Sequence, residues 1–366
     1  MKVLLLADAN SPHTIKWVNS LTKKCIDVLL FSIGKVVIND YEKSENVKFF
    51  SLNQVIDRKE GSILKIVYLR ALPFIRKVID QEKPDILHAH YASSYGLLGA
   101  LSGFHPFIIS VWGGDVLTFP KRSIIHRFIL EYNLKKADKI FSTSYALAKE
   151  TKLYTNKNVE VIPFGVDTEL FKPLKVESIF DENDIVIGTI KTLEKIYGIE
   201  YLIKAFKMLN ERYPSLPLKL LIVGGGSLES ELKNLCKNFG IYDKVIFTGK
   251  VSYSDVIKYH NIIAIFVALS EVESFGVSVV EASACGKPVV VSNVGGLPEV
   301  VENGVTGFVV SPKNPHEAAN AIEKLIFNED LRKSMGEEGR KRVIDLYDWN
   351  KSVEKTIMIY KTFKNK

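Results

Sequence analysis

The sequence predicts an α/β protein built from two doubly wound domains, and three observations carry that expectation. The chain has 366 residues, more than one hydrophobic core usually organises. Short apolar runs rich in β-branched residues alternate with helix-like stretches from end to end, the pattern of parallel strands covered by helices on both faces. The alternation breaks once, at the charged, proline-containing interval DTELFKPLKVESIFDENDI (167–185), and then begins again.

Taken in order, the first half reads as VLLLAD, a helix over 12–24, DVLLFS, a helix over 63–82, DILHAH, a helix over 93–102, FIISVWG, a helix over 123–136, KIFSTS, a helix over 145–153 and VEVIPFG. The second half reads as IVIGTI, a helix over 199–212, LKLLIVG, a helix over 227–239, KVIFTG, a helix over 253–259, IAIFVAL, a helix over 277–285, PVVVSN, a helix over 297–301, GFVV and a helix over 315–327. The closing stretch 329–363 reads as helical. Its Leu346, Trp349, Val353, Ile357 and Tyr360, spaced at threes and fours, must bury an apolar stripe. We expect that last helix to cross back to the first domain. The expected division is thus a Rossmann-like domain over 1–168 together with 346–366, and a second Rossmann-like domain over 169–345. Doubly wound sheets bind ligands beyond the carboxyl ends of their strands, so two of them facing across a cleft place function in that cleft.

Composition removes several classes. Hydrophobic residues make up 46% of the chain and charged ones 25%, which is ample core material and argues against long disorder. Cys25, Cys236 and Cys285 are odd in number and far apart, so neither a disulfide framework nor a zinc site is indicated and a reducing cytoplasm fits. The apolar run of MKVLLLADAN is too short for a signal-peptide core and reads as a first strand. The longest apolar run, IIAIFVAL at 262–269, has strand length, so no membrane span is expected. Net charge is +7, and unevenly placed: residues 1–165 carry 23 Lys and Arg against 15 Asp and Glu, the remainder 26 against 27. A basic half attracts phosphates, anionic lipid or nucleic acid, and is also the ordinary solvated surface of an enzyme. No zinc-finger spacing, RNA-binding aromatic signature or long basic run supports nucleic acid.

Chemistry concentrates in the second half. VGGGSLESEL (223–232) places glycines, Gly225 among them, between a strand and a helix, which permits close backbone approach and offers helix amides to an anion; a tight strand-to-helix turn reads equally well. The dinucleotide spacing G-x-G-x-x-G is absent, because Glu229 stands three residues after Gly226. In SEVESFGVSVVEASACG, Glu273 falls in a loop after a strand and Glu281 about one turn into the helix that ends at Gly286. Amides of Phe275 and Gly276 and the helix dipole favour a diphosphate there, and the two carboxylates can accept hydrogen bonds from hydroxyls of a sugar and a ribose. In the first half, strand alternation puts His88 and His90 on one face. Asp115 in WGGD and His13 in NSPHT are candidates for acceptor contact, and both also suit a plain turn.

The E-x7-E pattern of Glu273 and Glu281 in ESFGVSVVEASACGKPVV, followed by GGLPEVVENGVTGFVV, resembles the retaining glycosyltransferases of family 4, the glycosyl transferases group 1. IPFGVDTELFKP, GIEYLIKAF and VWGGD extend the resemblance over nearly the whole chain. It implies the two-domain GT-B fold and a nucleotide-diphosphate-sugar donor, a UDP-, GDP- or ADP-sugar. It further implies that Glu273 contacts the donor sugar with the amides of Phe275 and Gly276, that Glu281 binds the ribose, and that His90 lies near the transferred sugar. Lys195 resembles the lysine that neutralises the diphosphate, and Lys191 the basic residue before it. The spacing in GTIKTLEKIYG is shifted from the family pattern, so either lysine can be the principal phosphate ligand. The loop ADANSPHTIKW lacks the family's glycine pair, which leaves His13 or Thr14 to take its place. No D-x-D pair is present to hold a divalent cation, so metal-independent transfer with no cofactor is expected.

The implied activity is sugar transfer to a glycan or lipid-linked acceptor in cell-surface polysaccharide synthesis. A GT-B sugar-nucleotide epimerase or phosphorylase, and a non-catalytic nucleotide-sugar-binding module, remain alternatives. Residues 58–83, RKEGSILKIVYLRALPFIRKVIDQEK, mix basic and apolar side chains as helices on anionic membranes do, and also read as a domain helix interrupted near Pro73. The expected location is the cytoplasm, with peripheral contact at the inner membrane face left open.

Overall fold

The structure, a computed structural model, describes residues 1–38, 41–54 and 65–364. Backbone contacts divide the chain into two compact units, Met1–Pro163 with Ser352–Lys366, and Phe164–Lys351.

The first unit runs β1 (Lys2–Leu6), α1 (Pro12–Lys23), β2 (Asp27–Gly34), β3 (Val47–Gln54), α2 (Lys65–Glu82), β4 (Ile86–His90), α3 (Tyr95–Ser102), β5 (Phe107–Val111), α4 (Gly114–Leu117), α5 (Ile124–Lys136), β6 (Lys139–Ser142), α6 (Tyr145–Thr151) and β7 (Val159–Val161). Its seven strands are ordered β3-β2-β1-β4-β5-β6-β7, every pair parallel. Strands β4 and β5 are buried at every position because helices cover both faces of the sheet. Strand β3 carries no strand signal in the sequence and was not expected. It is an edge strand, VKFFSLNQ, whose described side chains from Val47 to Leu52 are exposed or half-buried, so it lacks the apolar run of its neighbours. Helix α2 passes Pro73 without the expected interruption. One lost hydrogen bond is tolerated where Ala71, Ile75 and Val78 bury the flanking turns. The first part of the 58–83 segment, up to residue 64, lies outside the described residues.

The second unit runs β8 (Ile185–Ile190), α7 (Ile199–Arg212), β9 (Leu218–Val223), α8 (Glu229–Asn238), β10 (Val245–Phe247), α9 (Tyr253–Ile262), β11 (Ile265–Ala268), α10 (Val277–Ala284), β12 (Val289–Ser292), α11 (Leu297–Val300), β13 (Gly307–Val310), α12 (Pro315–Phe327) and α13 (Glu329–Leu346). Its six-stranded sheet has the order β10-β9-β8-β11-β12-β13, again all parallel. The irregular interval after residue 166 packs onto this unit. Phe171 is fully buried against Tyr253 and His260, and Arg340 donates to the Phe171 carbonyl.

The closing stretch is two helices. It breaks at Tyr347–Asp348, where Asp348 accepts hydrogen bonds from the Asn350 amide (2.9 Å) and the Thr168 hydroxyl (2.7 Å), before α14 (Trp349–Lys364) begins. Trp349, Val353, Ile357 and Tyr360 are buried, whereas Leu346 is half exposed, because it ends α13 and stands outside the period of α14. In the first unit Tyr360 is tied to His88.

In each sheet the strand order reverses at one place, between β1 and β4 and between β8 and β11. The carboxyl ends at such a switch point are where a doubly wound sheet receives a ligand. His90 closes β4, Lys191 follows β8, and Glu273 lies in the loop after β11.

Candidate functional site

In the second unit, β8 and β11 are neighbours in register, Ile187 opposite Ile265, so residues 82 apart in sequence leave the sheet side by side. Lys191 Nζ lies 2.6 Å from Glu273 Oε2, with the two side chains only 16% and 11% exposed. The Tyr197 ring sits 4.5 Å from the same ammonium group, a cation–π contact that further fixes it. Two glycines hold this pair by close approach. A Cβ at Gly224 (φ +130°) would stand 2.0 Å from the Lys191 carbonyl oxygen, and one at Gly295 (φ +51°) 1.7 Å from that of Glu273. Only glycine fits either position.

Helix α10 opens directly after Glu273. Its N-cap is Gly276 at φ +104°, with no side-chain cap; the Val279 and Val280 amides donate to the Gly276 carbonyl (3.0 and 3.1 Å), which leaves those of Val277 and Ser278 as the first-turn donors that a ligand can use. Ser278 Oγ, in that turn, is buried without a hydrogen-bond partner. The Phe275 ring is buried edge-on against Tyr347, centroids 5.5 Å apart, which anchors the backbone that carries the loop amides. One turn on, Glu281 is buried, and its Oε2 lies 3.3 Å from Nε2 of His260, a fully buried residue of α9 packed between Phe171 and Phe266. Glu271 braces the same loop, accepting from Tyr201 (2.9 Å) and pairing with Lys313 (2.8 Å). The Lys313 partner holds its carboxyl below the ordinary range, and burial, aided by Glu271, pushes the Tyr201 phenol up to about 12.

The structure thus brings together Lys191, Glu273, Phe275, Gly276 and Glu281. Lys195 is exposed on a single 3-10 turn, Lys195–Tyr197, where its charge helps to lower the Glu271 carboxyl. That turn is fixed by Glu194, which accepts from the Ser227 hydroxyl (2.6 Å) and amide (2.9 Å), bonds that draw the carboxyl below its usual range. Gly225 supports the same segment, its carbonyl accepting the Leu193 amide at 3.2 Å. Two further buried polar residues belong to this region that no sequence motif marked, His260 and Ser278. The one signal for His260 was a histidine entering an otherwise apolar stretch, YHNIIAIF.

In the first unit, His90 is buried among aromatic rings, with centroids 4.6 Å from Trp112, 4.8 Å from His88 and 6.3 Å from Trp17. Its Nδ1 has no hydrogen-bond partner, and neither has the buried Thr14 Oγ1. His88 is fully engaged, Nδ1 2.5 Å from the Tyr360 hydroxyl and Nε2 2.8 Å from Ser110 Oγ. Burial lowers the His88 pKa to about 3, and burial, then His88 and His13, hold His90 well below its ordinary value. Both rings are therefore neutral near pH 7. His90 can share a hydrogen bond with a hydroxyl but offers no positive charge. His13 sets its ring edge-on to Trp112 at 5.8 Å.

Asp115 is committed elsewhere. Its oxygens accept the amides of Ala92 (2.7 Å), Gly113 (2.8 Å) and Trp112 (3.1 Å), with the side chain wholly buried. Burial pushes its pKa up while those amides pull it down. Such a carboxylate shapes the 112–115 loop. Among the described residues no group of three or more His, Cys, Asp or Glu could hold a metal ion, and no helix is long and apolar enough to cross a membrane.

Comparison with known proteins bears on both units. The family model described as "Glycosyl transferases group 1" matches residues 171–342, and that described as "Glycosyl transferase 4-like" matches 2–144. The chain is 28% identical over 296 residues to the N-acetyl-alpha-D-glucosaminyl L-malate synthase of Bacillus anthracis, covering 78% of this chain and 76% of that one. Among solved structures, a sucrose-phosphate synthase from Thermosynechococcus elongatus superposes with a TM-score of 0.87 at 20% identity, covering 100% of this chain and 99% of the other. Anabaena Alr3699/HepE, in complex with UDP-glucose, superposes with a TM-score of 0.79 at 20% identity, over 99% and 100% of the two chains.

Proposed function

The chain belongs to the family-4 type of glycosyltransferase, the glycosyl transferases group 1 with the GT-B fold, and from that premise we propose that it is a retaining enzyme using a nucleoside-diphosphate sugar. The observation that carries the donor assignment is the switch-point cluster of the second unit: an uncapped α10 N-terminus flanked by the Lys191–Glu273 pair and by Glu281. A helix N-terminus with a nearby lysine suits a diphosphate, and flanking carboxylates suit hydroxyls. The UDP-glucose in Alr3699/HepE is consistent with a donor of this kind.

In the proposed reaction the bond between the anomeric carbon and the diphosphate oxygen breaks, and its electron pair leaves with the nucleoside diphosphate. The acceptor hydroxyl oxygen bonds to the same face of that carbon, and its proton passes to the departing phosphate oxygen. Exposed Lys195 and the amides of Phe275, Gly276 and the first turn of α10 stabilise the charge that develops on the diphosphate. Lys191 holds Glu273 toward the sugar, and Glu281 receives the ribose. His13 and His90 are the first unit's candidates for contact with sugar hydroxyls. Charge stabilisation by lysine and amides makes transfer independent of a divalent metal. The acceptor we propose is a glycan or lipid-linked glycan of cell-surface polysaccharide synthesis. Three free cysteines fit a reducing cytoplasm.

The test is hydrolysis of UDP-, GDP- and ADP-sugars by the purified protein without acceptor, with and without EDTA. Slow release of one nucleotide, insensitive to EDTA and abolished in Glu273→Ala, is the expected result. Release from no donor contradicts the catalytic reading, and loss in EDTA with rescue by manganese contradicts metal independence.

A further inference from the structure

Helix α5 turns an apolar face to solvent. Ile124, Ile125, Phe128 and Tyr132 are 62%, 65%, 63% and 38% exposed, while Leu130, Asn133 and Leu134 on the other side are buried. The spacing 125, 128, 132 makes one continuous stripe along the helix. Single exposed apolar residues are ordinary, but a contiguous stripe on a soluble surface marks an interaction site. Helix formation does not account for it, since Ser123 already caps the first turn by accepting the His126 amide.

Cations surround the stripe. Exposed Lys121 and Arg122 precede it and exposed Lys135 and Lys136 follow it. Between residues 121 and 152 there are eight Lys and Arg against three Asp and Glu. All three acids are already engaged: Glu131 with Arg127 (2.7 Å), Glu150 with Lys121 (2.8 Å) and Asp138 with His105 (2.6 Å). Arg127 also lies 5.7 Å from the Tyr154 ring, next to Leu153, which is another exposed apolar side chain.

We infer that this face of α5 docks on an anionic phospholipid bilayer. An apolar stripe enters the headgroup boundary while the lysines and arginines around it meet lipid phosphates, with their stems lying along the apolar surface. A second copy of the chain fits less well, because an isologous contact through this face would set two rings of cations against each other. An anionic bilayer neutralises the same charges. The inference is independent of the donor assignment, so neither depends on the other's success.

Flotation with vesicles of phosphatidylglycerol and phosphatidylcholine, against vesicles of phosphatidylcholine alone, tests it. Binding to the anionic vesicles that weakens as salt rises is expected. The triple substitution Ile124→Ser, Ile125→Ser and Phe128→Ser lowers that partition by at least about tenfold, since lost apolar insertion dominates such binding. The substitutions Lys121→Gln, Arg122→Gln, Lys135→Gln and Lys136→Gln, which remove four charges without introducing like-charge contacts, sharply lower the preference for anionic lipid. Because all these side chains are exposed, circular dichroism and melting should stay as in the wild type, and donor hydrolysis serves as a second check of folding. Absence of flotation, or flotation unchanged by both variants, overturns the inference. A dimer in sedimentation equilibrium that the triple substitution dissolves overturns it in favour of a self-interface.

Discussion

Replacing Lys191 by methionine removes the ammonium group while nearly keeping the length of the side chain, and leaves Glu273, 11% exposed, without its 2.6 Å partner. Breaking a fully buried ion pair costs about 3–5 kcal/mol. Both side chains here retain some contact with water, so a cost of roughly 1–3 kcal/mol is the better scale. For a unit of this size that lowers the melting temperature by roughly 2–12 °C. If Lys191 acts mainly by holding Glu273, the same energy appears in donor binding as a loss of roughly 5- to 150-fold. A double-mutant cycle separates this role from direct contact with the diphosphate. In a Glu273→Gln background, Lys191→Met should then change nucleotide-sugar affinity, measured by calorimetric titration, by no more than about twofold. An undiminished loss in that background would refute the positioning role and make Lys191 a phosphate ligand in its own right.

Three further outcomes follow from the packing. Gly295→Ala forces a Cβ to within 1.7 Å of the Glu273 carbonyl in a left-handed conformation, which alone costs about 1–2 kcal/mol; it should lower the melting temperature and abolish donor hydrolysis, and an unaltered melt refutes the close approach. His260→Leu removes the ring nitrogen that lies 3.3 Å from Glu281 Oε2, so it should weaken binding of a nucleoside diphosphate about tenfold and binding of its 2′,3′-dideoxy analogue hardly at all. Equal losses for the two ligands would mean that His260 is structural. His88 and His90 stay neutral in the fold, with pKa values lowered from 6.5, whereas in the unfolded chain they protonate near 6.5. The unfolded state then binds more protons as pH drops below that value. Stability therefore falls with decreasing pH, by about 1.4 kcal/mol per pH unit for each histidine, down to about pH 3 for His88. Melting curves between pH 7.5 and 5 should show this slope, reduced in His90→Asn; a flat profile contradicts the buried neutral rings.

Much of the fold was legible because buried parallel strands announce themselves as short apolar runs, as β1, β4, β11 and β12 do. Edge strand β3 was not, since half of its surroundings are solvent and its sequence is mixed. Glu273 and Glu281 stood out as carboxylates in an apolar setting, but their partners did not. The Lys191–Glu273 pair depends on β8 lying beside β11, which no local pattern encodes, and the His260–Glu281 contact depends on the packing of α9 against α10. Asp115 read as a candidate for acceptor contact or as a turn residue, and a sequence does not reveal that three backbone amides converge on it. In α5, apolar residues occur on both faces, so periodicity alone does not say that Leu130 and Leu134 face the core while Ile125 and Phe128 face water.

The most direct measurement is calorimetric titration of the purified protein with UDP, GDP and ADP, repeated with Lys195→Ala and Glu281→Ala. The donor site described here predicts saturable one-to-one binding of one of these nucleotides, weakened about tenfold or more by either substitution. Binding of none of the three, or binding that both substitutions leave unchanged, would contradict it.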